Sequence, residues 1–515
     1  MTLTGDELID KGMATAVYAA ASPDRMAVHS PYGERTFSEL NERTNQLVRA
    51  LRRLGAKSGD TVALVCRNRP EFIEVYEAAL RGGFRLTPIN WHLTAEEIAY
   101  IVDDSDAVVV IADAFFGDTL TATAKLLAGS PVLLALGGDI DGFASYEDAV
   151  SAEGADNIED PEPGGAMLYT SGTTGRPKGV RRAMGMAPAL YRLHSRNSPH
   201  AGDTNRSLVT GPLYHAAPLS ISLTAPLAAG LGLVLMDGWS PEETLQLIEQ
   251  HGITHTHLVP IMFHRLLSLE DDVKQRYDLS SLKLVLHGAA PCPVDVKRRM
   301  IEWWGPVIEE YYAATEGGGT YITAKEWLER PGSVGKATPG STVVVRDEAG
   351  EVAAPGDVGT VWFKRSEIEP FEYHRDPEKT ASVHDGDLFT LGDMGYMDGD
   401  GYVFLTGRSA ELIISGGVNI YPAEIDAVIL EHPAVRDVAT VGVPDEEWGE
   451  AVKAVVEVRE GIAADDELAT ELMAFCRDRL ARFKCPRSID FADDLPRFET
   501  GKIYRRVVRD RYWPT

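Results

Sequence analysis

Apolar residues recur along the chain at two spacings, one typical of helices and one typical of buried strands. "TFSELNERTNQLVRALRRLG" opens with a capping pair, Thr36 and Glu39, carries leucines at 40, 47, 51 and 54, and stops at Gly55. "DTVALVC" then predicts a buried strand, "RPEFIEVYEAALRGG" a helix, and "AVVVIAD" (107–113) another buried strand. This alternation predicts α/β layers with a substantially parallel sheet.

The same alternation returns in the middle of the chain. "SPEETLQLIEQHG" has Ser240 as its cap and Glu243 three residues later, and the strand-like "THTHLVP" follows it. Histidines stand at 251, 255 and 257, the first two at i, i+4 spacing. Since there is no HExxH motif and no nearby cysteine, we expect them to be structural histidines and not zinc ligands.

A second unit begins near "TGRSAELIISGGVNIYP" (406–422). The preceding "DMGYMDGDGYVF" is rich in Gly and Asp, which predicts a tight hairpin. A helix, two strands, a long helix and a last strand follow, which is a compact module of roughly 100 residues. We therefore expect an α/β protein with a large N-terminal domain (1–407) of layered α/β subdomains and a small, mobile α+β C-terminal domain (408–515).

Composition restricts the possible partners. The chain has 515 residues, with 50 Lys and Arg against 78 Asp and Glu, so its net charge is −28. Repulsion would oppose nucleic-acid or anionic-membrane binding, and a site for a polyanion must be locally basic. Four cysteines without a CxxC pair, a charged N-terminus and no apolar run long enough to span a bilayer lead us to expect a cytoplasmic protein.

The segment "TSGTTGRPKG" (170–179) is the first candidate for chemistry. Its glycines let backbone N–H groups converge on an anion, its hydroxyls add donors, and its lysine adds a positive charge. It is neither a GxxxxGK[ST] loop nor a GxGxxG fingerprint. From the residues alone, a phosphate-binding loop and a flexible surface turn remain equally open.

Four further segments accompany this loop: "YYAATEGG" (311–318), "LGDMGYMDGDGYVFLTGR" (391–408), "ELIISGGVNIYPAEIDAVI" (411–429) and "LPRFETGKIYRR" (495–506). Together they resemble, in order and over nearly the whole chain, the motifs of the adenylate-forming superfamily, which includes acyl-CoA synthetases, luciferases and the adenylation domains of peptide synthetases. The resemblance implies two steps: a carboxylic acid and ATP form an acyl adenylate and pyrophosphate, and a thiol then takes the acyl group. ATP, Mg²⁺ and coenzyme A are the cofactors that it implies.

The resemblance also implies roles for particular residues. The implied ATP- and AMP-binding residues are Thr170, Ser171, Gly172, Thr173, Thr174, Gly175, Lys178, Gly288, Ala289, Ala290, Tyr312, Thr315, Asp393, Arg408 and Lys502. Tyr312 would stack on adenine, and Asp393 with Arg408 would bind the ribose. The implied catalytic residues are Lys502, which would bridge the acid and the α-phosphate, Thr315, and Glu316, which would hold Mg²⁺ together with Thr170.

Each of these residues has a simpler interpretation outside the motifs. A lone Glu316 or Lys502 is usually a solvated surface charge, and a lone Asp393 in a glycine-rich turn is usually a turn former. The chain also departs from the superfamily pattern within the nucleotide-binding motifs. It has Ala313 where glycine is usual and Leu391 where threonine is usual.

The second step implies a thiol tunnel and a hinge. Ser415, Gly416 and Gly417 would line the pantetheine tunnel, and Ala410 stands at the hinge position where the superfamily usually has Asp or Lys. The implied acyl pocket contains His215, Ala216, Ala313, Gly317 and Gly318. Because "GPLYHAAPLS" (211–220) lacks an aspartate that would pair with an ammonium group, we expect a plain carboxylic acid, either long-chain or bulky, alicyclic or polycyclic.

The acceptor has two candidates. Because 13 residues follow Lys502, we expect no fused carrier domain and free CoA as the acceptor. The alternative is an acyl-AMP ligase that loads a separate carrier protein. A non-catalytic nucleotide sensor would be expected to have lost Lys502 or Glu316, and both are present. We expect small-molecule partners only (acid, ATP and CoA), no nucleic acid and no membrane span, with a homodimer left open.

Overall fold

The computed structural model describes residues 5–170, 177–182, 205–338, 341–364, 371–408, 411–415, 418–445, 448–480, 482–497 and 502–513. Its strands are β1 Met26–Ser30, β2 Gly33–Thr36, β3 Thr61–Val65, β4 Arg85–Pro88, β5 Ala107–Asp113, β6 Val132–Leu136, β7 Ala144–Ser145, β8 Gly165–Thr170, β9 Lys178–Arg182, β10 Arg206–Val209, β11 Gly232–Leu235, β12 His255–Leu258, β13 Leu284–His287, β14 Ile308–Ala314, β15 Gly317–Ile322, β16 Lys336–Ala337, β17 Val343–Arg346, β18 Gly359–Lys364, β19 Phe371–Tyr373, β20 His384–Asp385, β21 Leu388–Met397, β22 Val403–Arg408, β23 Ile413–Ser415, β24 Val418–Ile420, β25 Val435–Asp445, β26 Gly449–Val458 and β27 Ser488–Phe491.

The α-helices are Gly5–Asp10, Ala14–Ala21, Phe37–Arg53, Pro70–Gly82, Ala95–Asp104, Gly117–Leu126, Tyr146–Ser151, Ala225–Ala228, Pro241–His251, Pro260–Leu267, Asp271–Lys274, Val294–Trp304, Ala324–Glu329, Pro377–Ser382, Pro422–Leu430, Asp466–Arg477 and Arg505–Asp510. Pro218–Thr224 forms a π-helix.

An eight-stranded sheet carries the first part of the chain, in the order β19-β9-β8-β4-β3-β5-β6-β7. In this order, the strands from β8 to β7 run parallel to one another. Strand β9 pairs antiparallel with β8, and β19 pairs antiparallel with β9. The strands predicted from "DTVALVC" and from 107–113 are β3 and β5. The helix that precedes them begins with both hydrogen bonds of the predicted capping box between Thr36 and Glu39.

A nine-stranded sheet lies beside it, in the order β16-β15-β14-β13-β12-β10-β11-β1-β2. The strands from β1 to β14 are parallel, and β15 turns back antiparallel to β14. The predicted cap at Ser240 is confirmed, because its side chain accepts a hydrogen bond from the Glu243 backbone. The largest core cluster joins both sheets through Leu64 of β3, Leu233 of β11 and the helical Phe72 between them. Burial of each such side chain stabilises the fold by about 1.5–3 kcal/mol.

The remaining strands form two five-stranded sheets. One contains β17-β18-β21-β20 with β22 paired to β21, and β21 and β22 form the hairpin predicted from the Gly- and Asp-rich segment. The other contains β24-β23-β26-β25 with β27 paired to β26, and its own core includes Ile413, Ile429 and Leu472. A separate core supports a separate C-terminal unit, and the boundary at 407/408 stays a prediction. Among the described residues, no helix is both long enough and apolar enough to cross a membrane.

Candidate active site

The phosphate-loop candidate joins two paired strands. Thr170 ends β8 and Lys178 begins β9, and the two are direct antiparallel partners. They therefore face each other at the base of the intervening segment. Lys178 Nζ donates a hydrogen bond to Asp376 Oδ2 at 3.0 Å. The predicted phosphate-binding residues between them, Ser171, Gly172, Thr173, Thr174 and Gly175, lie outside the described residues.

The next strand of the same sheet reaches the candidate metal ligand. β19 pairs with β9, and the hydroxyl of Tyr373, its last residue, donates a hydrogen bond to Glu316 Oε1 at 2.8 Å. Glu316 lies in the turn that joins β14 to β15 in the nine-stranded sheet. A phenolic hydrogen bond fixes the orientation of the carboxylate, so the Lys178 strand and Glu316 are linked through Tyr373.

The nucleotide-binding candidates on the two other sheets also meet. The Tyr312 hydroxyl donates a hydrogen bond to Asp393 Oδ2 at 2.6 Å, and Asp393 is buried, with 7% of its surface exposed. The Tyr312 ring packs on Phe363, with ring centroids 5.5 Å apart. Asp393 on β21 is the direct partner of Arg408 on β22. The structure thus brings together the residues for which the motifs predict adenine and ribose binding, and these roles stay predictions.

The predicted adenine loop, 288–290, follows the end of β13 and lies against Tyr311. A Cβ atom at Gly288 would lie 2.6 Å from the Tyr311 carbonyl oxygen and 2.7 Å from its ring, so only glycine fits. Ala289 adopts a left-handed conformation with φ +65°. This conformation costs an L-residue about 1–2 kcal/mol, and such strain is typical of functional sites. Ala290 follows in the same loop.

The turn that carries Thr315 and Glu316 is shaped by glycines and a bulge. Gly317 and Gly318 have φ +117° and +73°, and a Cβ at Gly318 would lie 2.6 Å from Phe363 ring atoms. The β14–β15 register shifts between Tyr312 and Ala314, so Ala313 is the extra residue of a bulge, and it is exposed. The turn therefore lies tight on Phe363, under the Tyr312 ring.

The acyl-pocket candidate His215 is a neutral imidazole. It lies just before the π-helix, and its ring packs on Tyr214 with centroids 4.5 Å apart. Burial, with a smaller contribution from the charge of His92, lowers the pKa of His215 to about 4. Within the described part of the chain, its buried Nε2 has no hydrogen-bond partner. The Nε2 atom of His215 is therefore available to pair with a polar atom of a ligand. Ala216, the next residue, is partly exposed.

Lys502 is positioned by the C-terminal unit. Its neighbour Ile503 forms an isolated antiparallel β-bridge with Arg497. The Ile503 side chain packs in an apolar cluster with Leu495 and Val508. Ser415, from the predicted thiol tunnel, ends β23 and pairs with both Val418 and Gly449. The other two tunnel candidates, Gly416 and Gly417, and the hinge candidate Ala410 lie outside the described residues.

The donor set fits Mg²⁺ only together with a phosphate ligand. Among the described residues, no group of three or more His, Cys, Asp or Glu side chains is placed to hold a metal ion by itself. One carboxylate, Glu316, and one hydroxyl, Thr170, suit an ion that takes one or two protein oxygens and completes its shell with phosphate and water.

Two residues of this site were not predicted from the sequence, Tyr373 and Asp376. Both lie in "FEYHRDPEKT" (371–380), where Asp376 caps a helix that begins at Pro377 and accepts a hydrogen bond from the Lys379 backbone. The Asp-Pro pair was a readable helix-start signal. Nothing local, however, indicates that this helix start faces Lys178.

Known proteins resemble this chain over most of its length. Residues 16–369 match the family described as AMP-binding enzyme, and residues 424–502 match the AMP-binding enzyme C-terminal domain. The chain is 32% identical over 498 residues to the indoleacetate–CoA ligase of Aromatoleum aromaticum, with 96% of each chain covered. It is 31% identical over 520 residues to the long-chain-fatty-acid–CoA ligase FadD13 of Mycobacterium tuberculosis, covering 96% of this chain and 97% of that one.

A solved structure gives the same result for the fold. ATP-bound MatB from Rhodopseudomonas palustris superposes with a TM-score of 0.83 at 29% identity, over 98% of this chain and 99% of that chain. The resemblance drawn from the motifs and the expected fold class are thereby confirmed. The two relatives are named for different acids at nearly equal identity, so similarity alone does not select the acid.

Proposed function

The chain belongs to the AMP-binding enzyme family and is an AMP-forming acid–thiol ligase, and from this premise we propose that its acid is bulky and its acceptor is free CoA. The acid would be long-chain or else alicyclic or polycyclic. The observation that carries the site assignment is the contact of Tyr312 with Asp393, next to a turn whose Glu316 is held by Tyr373.

In the first step, a carboxylate oxygen of the acid attacks the α-phosphorus of ATP, and the bond to the β-phosphate breaks to release pyrophosphate. Two anions must approach each other, so neutralisation of charge dominates the barrier. Lys178 would hold the terminal phosphates, and Lys502 would hold the acid and the α-phosphate in line. Mg²⁺ held by Glu316 and Thr170 would offset phosphate charge when bound.

The nucleotide would be fixed at its other end. The Tyr312 ring offers an apolar face to adenine, and the Asp393 carboxylate accepts hydrogen bonds from ribose hydroxyls. Because Tyr312 donates to Asp393, the two groups are oriented before ATP arrives. The strained Ala289 loop lies against the same strand and would close over the base.

In the second step, the CoA thiol attacks the acyl carbonyl, and AMP leaves with the electron pair of the broken bond. Ser415, Gly416 and Gly417 would leave room for the thin pantetheine arm, and rotation at Ala410 would bring them to the adenylate. Near the acyl group, a neutral His215 is compatible with an uncharged substrate body. We also propose a cytoplasmic location and small-molecule partners only, with a homodimer left open.

The test is pyrophosphate release against a panel of carboxylic acids, with and without CoA, with products identified by mass spectrometry. We expect an acyl-CoA from a bulky acid, and loss of pyrophosphate release in Lys502→Ala. The exposed Lys325, on a helix of the N-terminal region, supplies the matched control Lys325→Ala. Acyl-AMP that accumulates and ignores CoA would instead indicate a ligase that loads a separate carrier protein.

A further inference from the structure

One face of the nine-stranded sheet carries an unusual set of polar aromatic side chains. We call it the tyrosine face, and it consists of His257, Tyr311 and Tyr321 with the apolar Ala217, Ile221 and Leu286. Tyr311 and Tyr321 are direct partners between β14 and β15, so their side chains lie side by side. His257 is the register partner of Leu286, which places it on the same face of the sheet.

The hydrogen bonds of this face are incomplete. His257 Nε2 and the Tyr311 hydroxyl are 3.1 Å apart, and the two rings lie with centroids 5.8 Å apart. Among the residues that the structure describes, the buried hydroxyl oxygen of Tyr321 has no hydrogen-bond partner. A buried hydroxyl without a partner is costly, so such a group in a native protein calls for a water or a ligand atom.

The tyrosine face lies next to residues of the candidate active site. Tyr311, Tyr321 and Ala217 keep part of their surface accessible. Tyr311 directly precedes Tyr312, and its ring lies against Gly288 of the adenine loop. Tyr311 thus links the adenine-loop candidate to its direct strand partner, Tyr321.

The tyrosine face carries no positive charge. Burial lowers the pKa of His257 to about 4, so its ring carries no charge at pH 7. Glu309, two residues before Tyr311 on β14, is the register partner of Leu286 and therefore shares this face. A second carboxylate on the substrate would find no positive partner in His257 and would be repelled by Glu309.

We propose, resting on the proposed function, that the acid is a ring-bearing carboxylic acid with a neutral hydrogen-bonding oxygen at its far end, which pairs with the Tyr321 hydroxyl. Phenol, ether and ketone oxygens all meet this requirement. The partly accessible rings of Tyr311 and Tyr321 offer aromatic surface to a ring. An unsubstituted alkyl chain would cover Tyr321 and leave its hydroxyl without a partner, so long-chain acids are disfavoured.

The test uses four pairs of acids that differ by one hydroxyl group, with dodecanoate as the alkyl reference. The pairs are 4-hydroxybenzoate and benzoate, 4-hydroxyphenylacetate and phenylacetate, 4-hydroxycinnamate and cinnamate, and 6-hydroxy-2-naphthoate and 2-naphthoate. In the intact enzyme, we expect the best pair to favour the hydroxylated acid about tenfold in kcat/KM for acyl-CoA formation, the effect of one hydrogen bond. Dodecanoate should be poorer than the best hydroxylated acid.

Tyr321→Phe should reduce this tenfold ratio to about one, because only the hydroxyl is removed. The matched control is Tyr277→Phe, which removes a surface hydroxyl bonded to Glu242 and should keep the ratio of the intact enzyme. If Tyr321→Phe does not fold, as judged by its melting curve, the four ratios and the comparison with dodecanoate in the intact enzyme decide.

The outcomes separate this proposal from the proposed function. Turnover in which dodecanoate is the best substrate, in which no pair exceeds a twofold ratio, or in which the ratio survives Tyr321→Phe overturns the ring-bearing acid and leaves the ligase intact. Absence of both pyrophosphate and acyl-CoA with every acid overturns the proposed function and, with it, the substrate class.

Discussion

Removal of one hydroxyl, in Tyr312→Phe, tests whether the nucleotide site is oriented before ATP binds. The Tyr312 hydroxyl donates to Asp393 at 2.6 Å, while its ring packs on Phe363. Phenylalanine keeps the ring for adenine and for Phe363 and removes only the hydrogen bond. The substitution therefore separates the orientation of Asp393 from the stacking surface.

The size of the effect follows from the burial of the carboxylate. A hydrogen bond to a charged group contributes about 1.5–3 kcal/mol, and Asp393, with 7% of its surface exposed, cannot be fully rehydrated when the donor is lost. If the lower end of this range, about 1.5 kcal/mol, appears in nucleotide binding, the KM for ATP rises slightly more than about tenfold. Tyr312→Ala also removes the ring contact with Phe363, which adds about 0.5–1.5 kcal/mol.

The assay is steady-state pyrophosphate release with ATP varied and the acid saturating, supported by melting curves for each variant. Tyr396→Phe is the matched control, because Tyr396 lies on the same strand as Asp393 and stacks on Phe404, with ring centroids 4.8 Å apart. Its KM for ATP should equal that of the intact enzyme. A KM for ATP within twofold of the intact enzyme in Tyr312→Phe would refute the role of this hydrogen bond.

Three further predictions follow from the described contacts. Lys502→Ala should lower pyrophosphate release at least about 100-fold while nearly sparing CoA transfer from a supplied acyl adenylate, and equal loss in both half-reactions would contradict its role. Tyr373→Phe should raise the Mg²⁺ concentration for half-maximal activity about tenfold, because Glu316 loses its orienting donor; an unchanged Mg²⁺ titration would argue against this. Burial lowers the pKa of His257 to about 4, so the unfolded chain binds the extra proton between pH 6.5 and 4. The low pKa of His257 therefore costs no free energy of unfolding above pH 6.5 and lowers that free energy by about 2 kcal/mol at pH 5. His257→Leu should therefore lose less of its unfolding free energy between pH 7 and 5 in denaturant titrations, and a loss equal to that of the intact protein would show that His257 is not the group.

The elements that could be read from the sequence are those whose signals are local. The capping box of Thr36 and Glu39 spans four positions and is formed as predicted. The strand at 107–113 was bounded correctly because a run of buried β-branched residues admits few alternatives. The hairpin of β21 and β22 followed from turn residues alone.

The contacts that complete the site are long-range, and local patterns do not contain them. Tyr373 and Glu316 are 57 positions apart, and Lys178 and Asp376 are 198 positions apart. Their meeting depends on the pairing of β19 with β9 and on how two sheets lie edge to edge. The left-handed Ala289 was equally hidden, because alanine gives no sign that its position requires a positive φ.

If Lys178 binds phosphate as proposed, its ion pair with Asp376 makes ATP binding an exchange of anions. The lysine is paired with a carboxylate, so a phosphate group would replace that carboxylate and would not meet an isolated cation. The released carboxylate would return to solvent at the start of its helix, where it also accepts a hydrogen bond from the backbone N–H of Lys379. Since one ion pair is broken for each one made, the affinity of this enzyme for ATP should depend less steeply on salt than the charge of the nucleotide alone would require.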